Sequence, residues 1–565
     1  MKARGTKLVA GLVAAAAVTM FASTTSAAGR PSAAKPKTGG SITYGIQSTV
    51  SGWCFSNALE GGPLGVTRMV FESLVDKDSK GNFVPQLAES WTPDATAKVW
   101  TFKLRPNIKY SNGEAFDATS VKQNIDIGRG FVTSYPSTGV GVNSNIQDVD
   151  VVDTLTVKIT LVKPDSDFIA LMYRAGRYVM RAPAQIADKT TCATKGIGTG
   201  PFMIRSYTPT EIVLDRNPNY WRKDAYGTQL PYLDSITAVV VKEASQRAAA
   251  LRKGTIDVGY FVTGESTFVK DLEFRKNVVT EFKGKISSWG QYMPNQNKTG
   301  SPFKFLNCRL AAAYAVDWNL YNKVRLKGLG EVSGSIVGKS HLMYTKNGAT
   351  GYNLAKAKDY VTKCNADLGA AAPFKITMYA DTSTTSQNNV KFVQGMMEKA
   401  GIQFNNVYIA ESADLISKIY RGGGNLFDFA EGTPAEGPGS GYVVPFFLTK
   451  AFPADSTSPV ANTAVGKGYN TVIALGNHSD TKVDDLIYAA KAQTTAAGIK
   501  KAWAEATAYI QSQAVAIPTV HTGAYTFVNK KSKLHGMDTL KNPDGKTYAP
   551  TSDLKGFEWT GVWQG

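Results

Sequence analysis

VPQLAESWTPDATAKVWTFKLRPNIKYSNGEAFDATSVKQNI, residues 84–125, packs a turn, a strand, a second turn and a helix into little more than forty positions. Trp100, Phe102 and Leu104 alternate with Thr101, Lys103 and Arg105, the period of a half-buried antiparallel strand. Trp91-Thr92-Pro93-Asp94 turns the chain before that strand. Asn112-Gly113 turns it afterwards, and Asp117 is placed to cap a helix running through Val121 and Ile125. The stretch therefore specifies a small α+β subdomain, and none of its residues forms a chemical constellation.

Around it lies a chain of 565 residues, enough for two or three domains. Lys2, Arg4 and Lys7 precede an apolar run from Leu8 to Phe21, followed by the small residues Ser26, Ala27 and Ala28. That order is a secretory signal peptide over residues 1–28; the run is short for a retained membrane anchor. Residues 29–40 read as a flexible tether. No Cys precedes Cys54, so no lipid acceptor stands at the mature N-terminus, and no later segment is apolar enough to span a bilayer. The expected product is an exported protein, periplasmic or extracellular.

The formal charge of +18 falls to about +15 once Lys2, Arg4 and Lys7 leave with the leader. The remaining Lys residues are dispersed and no Arg-aromatic cluster stands out, so no nucleic-acid partner is expected; an anionic cell envelope suits the charge better. Export favours oxidation of Cys54, Cys192, Cys308 and Cys364. Cys364 shares a helix face with Leu354, Ala357 and Val361. The expected pairs are Cys308 with Cys364 and Cys54 with Cys192, buried free thiols being the alternative. Wide cysteine spacing and four His residues argue against a metal, and no cofactor is expected.

Beyond the opening stretch, strand and helix patterns alternate. Residues 198–262 carry GTGPFMIRSYTPTEIVLDRNPNYW, LDSITAVVV, SQRAAALRKG and IDVGYFV, an α/β lobe. A second unit opens near Ile286, with helices at CRLAAAYAV and at DWNLYNKV, the latter capped by Asp317. FKITMYAD, IQFNNVYIA and LFDFAEG, with helices between them, then predict a mostly parallel βαβαβ sheet. Two further helices precede AIPTVHTGAYTFVNK, a strand expected to return to the first lobe.

Several apparent motifs fail on inspection. DKDSKGN, residues 76–82, imitates a calcium loop, yet Lys80 and Leu87 occupy ligand positions, so it reads as a hairpin turn. GSIVGKS lacks the spacing of a phosphate loop, and GIGTGPF leads into a strand rather than a helix. His341, His478, His521 and His535 lie far apart, and no nucleophile elbow or zinc-hydrolase motif occurs, so no catalytic residue is assigned. What resists a structural reading is a set of aromatic and polar residues in irregular segments: Trp53 and Phe55, then Trp289, Tyr292 and Asn295, then Glu431, Glu436 and Tyr442. Loops at the edges of two α/β lobes are where an interdomain cleft meets its ligand.

VPQLAESW with TFKLRPNIKYSNGEAFDATSV, GTGPF, NPNYW with PYLDSI, ALRKGTIDV, CRLAAAYAVD, YNLAKAKDYV and AIPTV follow one another across nearly all of the mature chain. In that order they resemble the extracytoplasmic solute-binding proteins of ABC importers, in the family 5 group that includes oligopeptide, dipeptide and nickel binders. The resemblance implies a two-lobed periplasmic-binding-protein α/β fold, type II in its large form, with the opening stretch as an extra α+β subdomain of lobe I. Lobe I would take residues 41–66, 185–283 and 513–565, the subdomain 67–184 and lobe II 284–512. It further implies a monomer that closes on a small solute by hinge motion, docks on permease subunits in the membrane and performs no covalent chemistry. Peptide-binding members hold the free amine of their ligand with an acidic residue after the strand matched here by LFDFAEG. AEGTPAEGPGSGY offers Glu431 and Glu436 for that part but lacks the usual Asp-Pro motif. A peptide-like ligand is the first expectation. An oligosaccharide or other neutral solute stacked on the Trp-bearing loops is the alternative, ahead of a secreted hydrolase or a ligand-presenting signalling protein.

Overall fold

The strand and the capped helix of residues 84–125 form as their pattern requires, but Trp91, Thr92 and Pro93, expected in the first turn, lie in strand Ala88–Pro93 opposite Phe102, Thr101 and Trp100, and the turn begins at Asp94. The computed structural model describes residues 36–50, 52–53, 64–78, 81–128, 145–173, 178–188, 190–369, 373–410, 428–432, 439–440, 443–449, 478–537 and 559–565; at 283–285, 287, 430–432 and 445 the description covers backbone alone. Strand Val99–Leu104 turns Trp100, Phe102 and Leu104 inward, all three buried. Asp94 builds the turn before it by accepting hydrogen bonds from the amides of Lys98 and Val99. Asp117 Oδ1 accepts from the Ser120 amide at 2.8 Å and starts helix Ala118–Gly128, which buries Val121 and Ile125. Ala88–Pro93, Val99–Leu104, Thr156–Leu161 and Ile146–Asp153 form an antiparallel four-stranded sheet in that order.

Lobe I is built on a seven-stranded sheet in the order Val279–Ser288, Thr522–Asn529, Val258–Val262, Ser41–Ile46, Ser235–Val240, Glu211–Arg216 and Phe202–Tyr207. Ser41–Ile46 runs parallel to both of its neighbours and the remaining pairs are antiparallel. Alternate residues serve two cores: Val258, Tyr260 and Val528 face one, while Phe261, Tyr525 and Phe527 face the other beneath helix Ala244–Lys253. The last strand does return to the first lobe.

The glycine-rich run at 198–200 serves close packing. A Cβ on Gly198 would stand 2.1 Å from the carbonyl oxygen of Val70, where helix Leu64–Val70 ends, and one on Gly200 2.6 Å from that of Met69. The calcium look-alike is a hairpin between Val75–Lys77 and Phe83–Pro85, with Asp76 engaged by Arg68 at 3.1 Å.

Lobe II departs from the predicted βαβαβ sheet. Lys375–Asp381 and Gln403–Ala410 pair in parallel around helix Thr384–Ala400, but Phe429–Gly432 runs antiparallel to Gln291–Pro294, which also pairs with Ile517–Pro518. Asp428 explains the departure. Its amide donates to the Thr377 carbonyl at 3.0 Å, and its carboxylate then accepts from the Thr377 amide at 2.8 Å, so a side chain takes the place of the next backbone acceptor. The helix expected between IQFNNVYIA and LFDFAEG, at ADLISKIY (413–420), lies outside the described residues.

Asp317 caps helix Trp318–Arg325 as expected, Oδ1 accepting from the Leu320 amide at 3.0 Å. Asp317→Ala should lower lobe II stability by about 1 kcal/mol in thermal unfolding; an unchanged transition would show that the cap contributes nothing here. Cys308 and Cys364 form a disulfide between helices Leu306–Ala315 and Leu354–Leu368. Cys192 is also disulfide-bonded, and Cys54 lies outside the described residues.

Candidate functional site

The chain crosses between the lobes twice, from Val279–Ser288 into Gln291–Pro294 and from Ile517–Pro518 into Thr522–Asn529. The crossings are bonded to each other. The Thr519 amide donates to the Gly290 carbonyl at 3.0 Å, and the Gly290 amide donates to His521 Nδ1 at 3.1 Å. Gly290 is required by proximity: a Cβ there would lie 2.1 Å from the carbonyl oxygen of Val520. Because Nδ1 of His521 accepts, its proton sits on Nε2, which donates to Ser333 Oγ at 2.6 Å. The His521 backbone exchanges two hydrogen bonds with Glu331, at 2.8 and 2.9 Å.

Trp289 lies edge-on to two imidazoles, with ring centroids 5.3 Å from His521 and 6.0 Å from His341. Gly338 makes room for the indole, since a Cβ there would come within 2.1 Å of Trp289 Cζ3. His341 repeats the tautomer of His521: Nδ1 accepts from the Met343 amide at 3.2 Å and Nε2 donates to the Gly439 carbonyl at 3.0 Å. Burial pushes both imidazoles down to about 4, so both are neutral at physiological pH.

The residues expected to meet ligand are placed as follows. Trp53 is buried in the core of lobe I beside Phe71 and Tyr207, and its carbonyl accepts from Arg181 and Gln185. Trp289 belongs to the crossing. Tyr292 faces the opposite side of its strand, stacked at 4.4 Å on Phe429 and at 5.6 Å on Trp318. Asn295 is buried; its amide donates to the Asp428 carbonyl, and its side chain accepts from the Lys298 amide. Glu431 is paired through its backbone with Tyr292. Phe55, Glu436, Tyr442 and the side chain of Glu431 lie outside the described residues. His341 and His521 escape a reading by sequence spacing because their partners stand up to 231 positions away.

Unpaired polar groups flank the crossing. Val258–Val262 is antiparallel to the strand that begins immediately after the second crossing, so the carboxyl ends of Val258–Val262 and its parallel neighbour Ser41–Ile46 point toward the hinge. Gln47 Oε1 and Thr49 Oγ1, just past that end, are buried without hydrogen-bond partners. On the lobe II side the Gln291 side chain is fully buried with both its oxygen and its nitrogen unpaired. The carboxyl ends of parallel strands are the usual ligand edge of such sheets, and unpaired buried groups there gain when a polar solute supplies partners. Among the described residues no group of three or more His, Cys, Asp or Glu is placed to hold a metal ion, and no helix is long and apolar enough to cross a membrane.

The described residues on either side of Glu436 are both engaged. Gly432 pairs with Gln291 at the crossing, while Ser440 Oγ donates to Asp167 Oδ2, in the subdomain of lobe I, at 2.8 Å.

Two lobes joined by paired crossing strands define a hinged two-lobed binding fold. The chain belongs to the bacterial extracellular solute-binding proteins, family 5, whose middle-region model matches residues 82–451. It is 28% identical over 334 residues to the glutathione-binding protein GsiB of Salmonella paratyphi A, covering 58% of this chain and 61% of that relative. To GsiB of Escherichia coli O6:K15:H31 it is 27% identical over 340 residues, covering 60% and 63%. The match thus spans less than two thirds of the length of these relatives. In structure it is similar to the PBP AgaA of A. tumefaciens R10 in complex with agropinic acid, with a TM-score of 0.74, 20% identity and coverage of 93% of this chain and 99% of that one. The oligopeptide-binding protein AppA of Bacillus subtilis, in complex with a nonapeptide, gives a TM-score of 0.73 at 19% identity and covers 94% and 100%.

Proposed function

We propose that this protein captures a small, peptide-like solute between its lobes outside the cytoplasm and delivers it to the permease subunits of an ABC importer, acting as a monomer and carrying out no chemical step. The observation that carries the reading is the placement of residues 432 and 439–440: the segment between them starts at the crossing strands and ends against the opposite lobe. A carboxylate from that segment, Glu436, or Glu431 just before it, is the proposed partner for a ligand ammonium group; a charge enclosed on closure requires such a partner. The relatives named for glutathione binding, and the neighbour solved with a nonapeptide, support a peptide-like cargo. Trp53, Phe55, Trp289, Tyr292, Asn295 and Tyr442 are proposed to shape the walls, the first of these by supporting the loop rather than by presenting its own ring.

Thermal unfolding of the mature protein against glutathione, di- to pentapeptides with free or acetylated amines, oligosaccharides and metal chelates tests the reading. A ligand at a hundred times its dissociation constant adds about 2.7 kcal/mol. Stabilisation by free-amine peptides, lost on acetylation and lost in Glu436→Gln or Glu431→Gln, is expected. Stabilisation by neutral sugars alone would replace the cargo, and turnover of any of these compounds would overturn the assignment as a binder.

A further inference from the structure

We propose that the α+β subdomain of lobe I is a catch: Asp165 and Asp167 grip Lys491 and Ser440 of lobe II and hold the lobes together without the help of a solute. Lys491 is the last residue of helix Thr481–Lys491, and its ammonium reaches Asp165 Oδ2 at 2.5 Å with side chains 12% and 2% exposed. The contact is double, since the Lys491 carbonyl also accepts from the Ser166 amide at 2.9 Å. Asp167 Oδ2 accepts both from the Ser440 hydroxyl, at 2.8 Å, and from the Ser440 amide. Nearby, the Lys163 ammonium stands 4.0 Å from the ring centroid of Tyr488.

These contacts join elements that share no sheet, and they lie apart from the crossing strands. Subdomain and helix each have their own apolar core, so neither needs the contact in order to fold. Gly439 makes the approach possible: a Cβ there would come within 2.4 Å of Ala170 Cβ and 2.6 Å of Asp167 Oδ1. The same residue accepts from His341 at 3.0 Å, and His341 lies edge-on to Trp289 at the crossing. The Gly439–Ser440 peptide group therefore links the grip, through His341, to the neighbourhood of the crossing. With both partners present the charges are satisfied while the lobes are together, whereas deleting Lys491 leaves Asp165 buried and unpaired there; loss of Lys491, or insertion of a methyl group at 439, should therefore release the lobes.

The test uses the full mature chain with no solute added, comparing wild type with Lys491→Met and Gly439→Ala by amide hydrogen exchange and small-angle X-ray scattering. Both variants should exchange at least tenfold faster in peptides containing Ser166 and Ser440, with a larger radius of gyration and unchanged exchange in the cores of both lobes. Asp165→Asn combined with Lys491→Met should recover part of what Lys491→Met alone releases, because it removes the stranded charge. Unchanged exchange at Ser166 and Ser440 would overturn the proposal, as would acceleration spread through all of lobe II, which marks a packing role. Should Lys491→Met fail to fold, Gly439→Ala decides alone, because it leaves every charge in place. None of these readouts requires the cargo, so failure of the catch and failure of the assigned solute are distinguishable.

Discussion

Replacing Cys308 and Cys364 together by Ala is expected to lower the stability of lobe II by about 4 kcal/mol. The two residues are 56 positions apart, and closing a loop of that length removes about that much conformational free energy from the unfolded chain. Both cysteines are fully buried in a core shared with Ala311, Val361 and Phe374. Without the bond, helix Leu354–Leu368 is held to helix Leu306–Ala315 by apolar packing and by an exposed hydrogen bond from Asn307 to Asp367 at 2.9 Å, and the loss falls on the lobe II transition. Ala is preferred to Ser because it leaves no hydroxyl in that core. The double variant is also cleaner than added reductant, which would attack the bond at Cys192 as well. Denaturant titration checks the expectation; a lobe II midpoint within error of wild type would mean that the unfolded chain is already constrained in this loop.

Acid is expected to loosen the crossing. His341 and His521, held at about 4 chiefly by burial, titrate near 6.5 once the chain unfolds. Between those values the unfolded state binds more protons, so stability falls as pH drops from about 6.5 and the loss is complete near 4. Each imidazole contributes about 3 kcal/mol across that window. His478, lowered mainly by burial, acts in the same direction. Asp167 opposes them: burial, with Asp165 beside it, pushes its carboxyl up to about 6, so the native state takes up that proton first and recovers part of the loss between about 6 and 4. Asp257 and Asp484, also raised by burial, work in the same sense as Asp167. Because these effects partly cancel, the decisive comparison is differential. His521→Gln should flatten the stability profile between pH 6.5 and 4 by about one proton, measured by denaturant titration across that range. An identical slope would place the His521 proton outside the folding equilibrium.

The subdomain was readable because its information is local. Trp100, Phe102 and Leu104 alternate within one strand, and the cap at Asp117 acts three residues away. The return of Thr522–Asn529 to lobe I and the disulfide between Cys308 and Cys364 were also anticipated. Two features escaped for a common reason. Asp428 ends a ladder with its side chain, and alternation does not report whether an acceptor is a carbonyl or a carboxylate. Trp289 in an irregular segment reads as a ring facing ligand, and it packs against Gly338 and two imidazoles from remote positions. Spacing along the chain carries no record of such encounters. The acidic segment is legible as composition, and of its surroundings Gly432 pairs at the crossing and Ser440 meets Asp167.

The order of strands in lobe I bears on biogenesis. Thr522–Asn529 lies between Val258–Val262 and Val279–Ser288, strands that precede it by more than two hundred residues. A chain that emerges from its amino end delivers all of lobe II before this gap can be filled. Until then Val258–Val262 presents an open edge, and Val279–Ser288 has no neighbour in the sheet. Lobe II can therefore mature before the end of the chain has emerged, whereas lobe I is completed only once residue 529 is available.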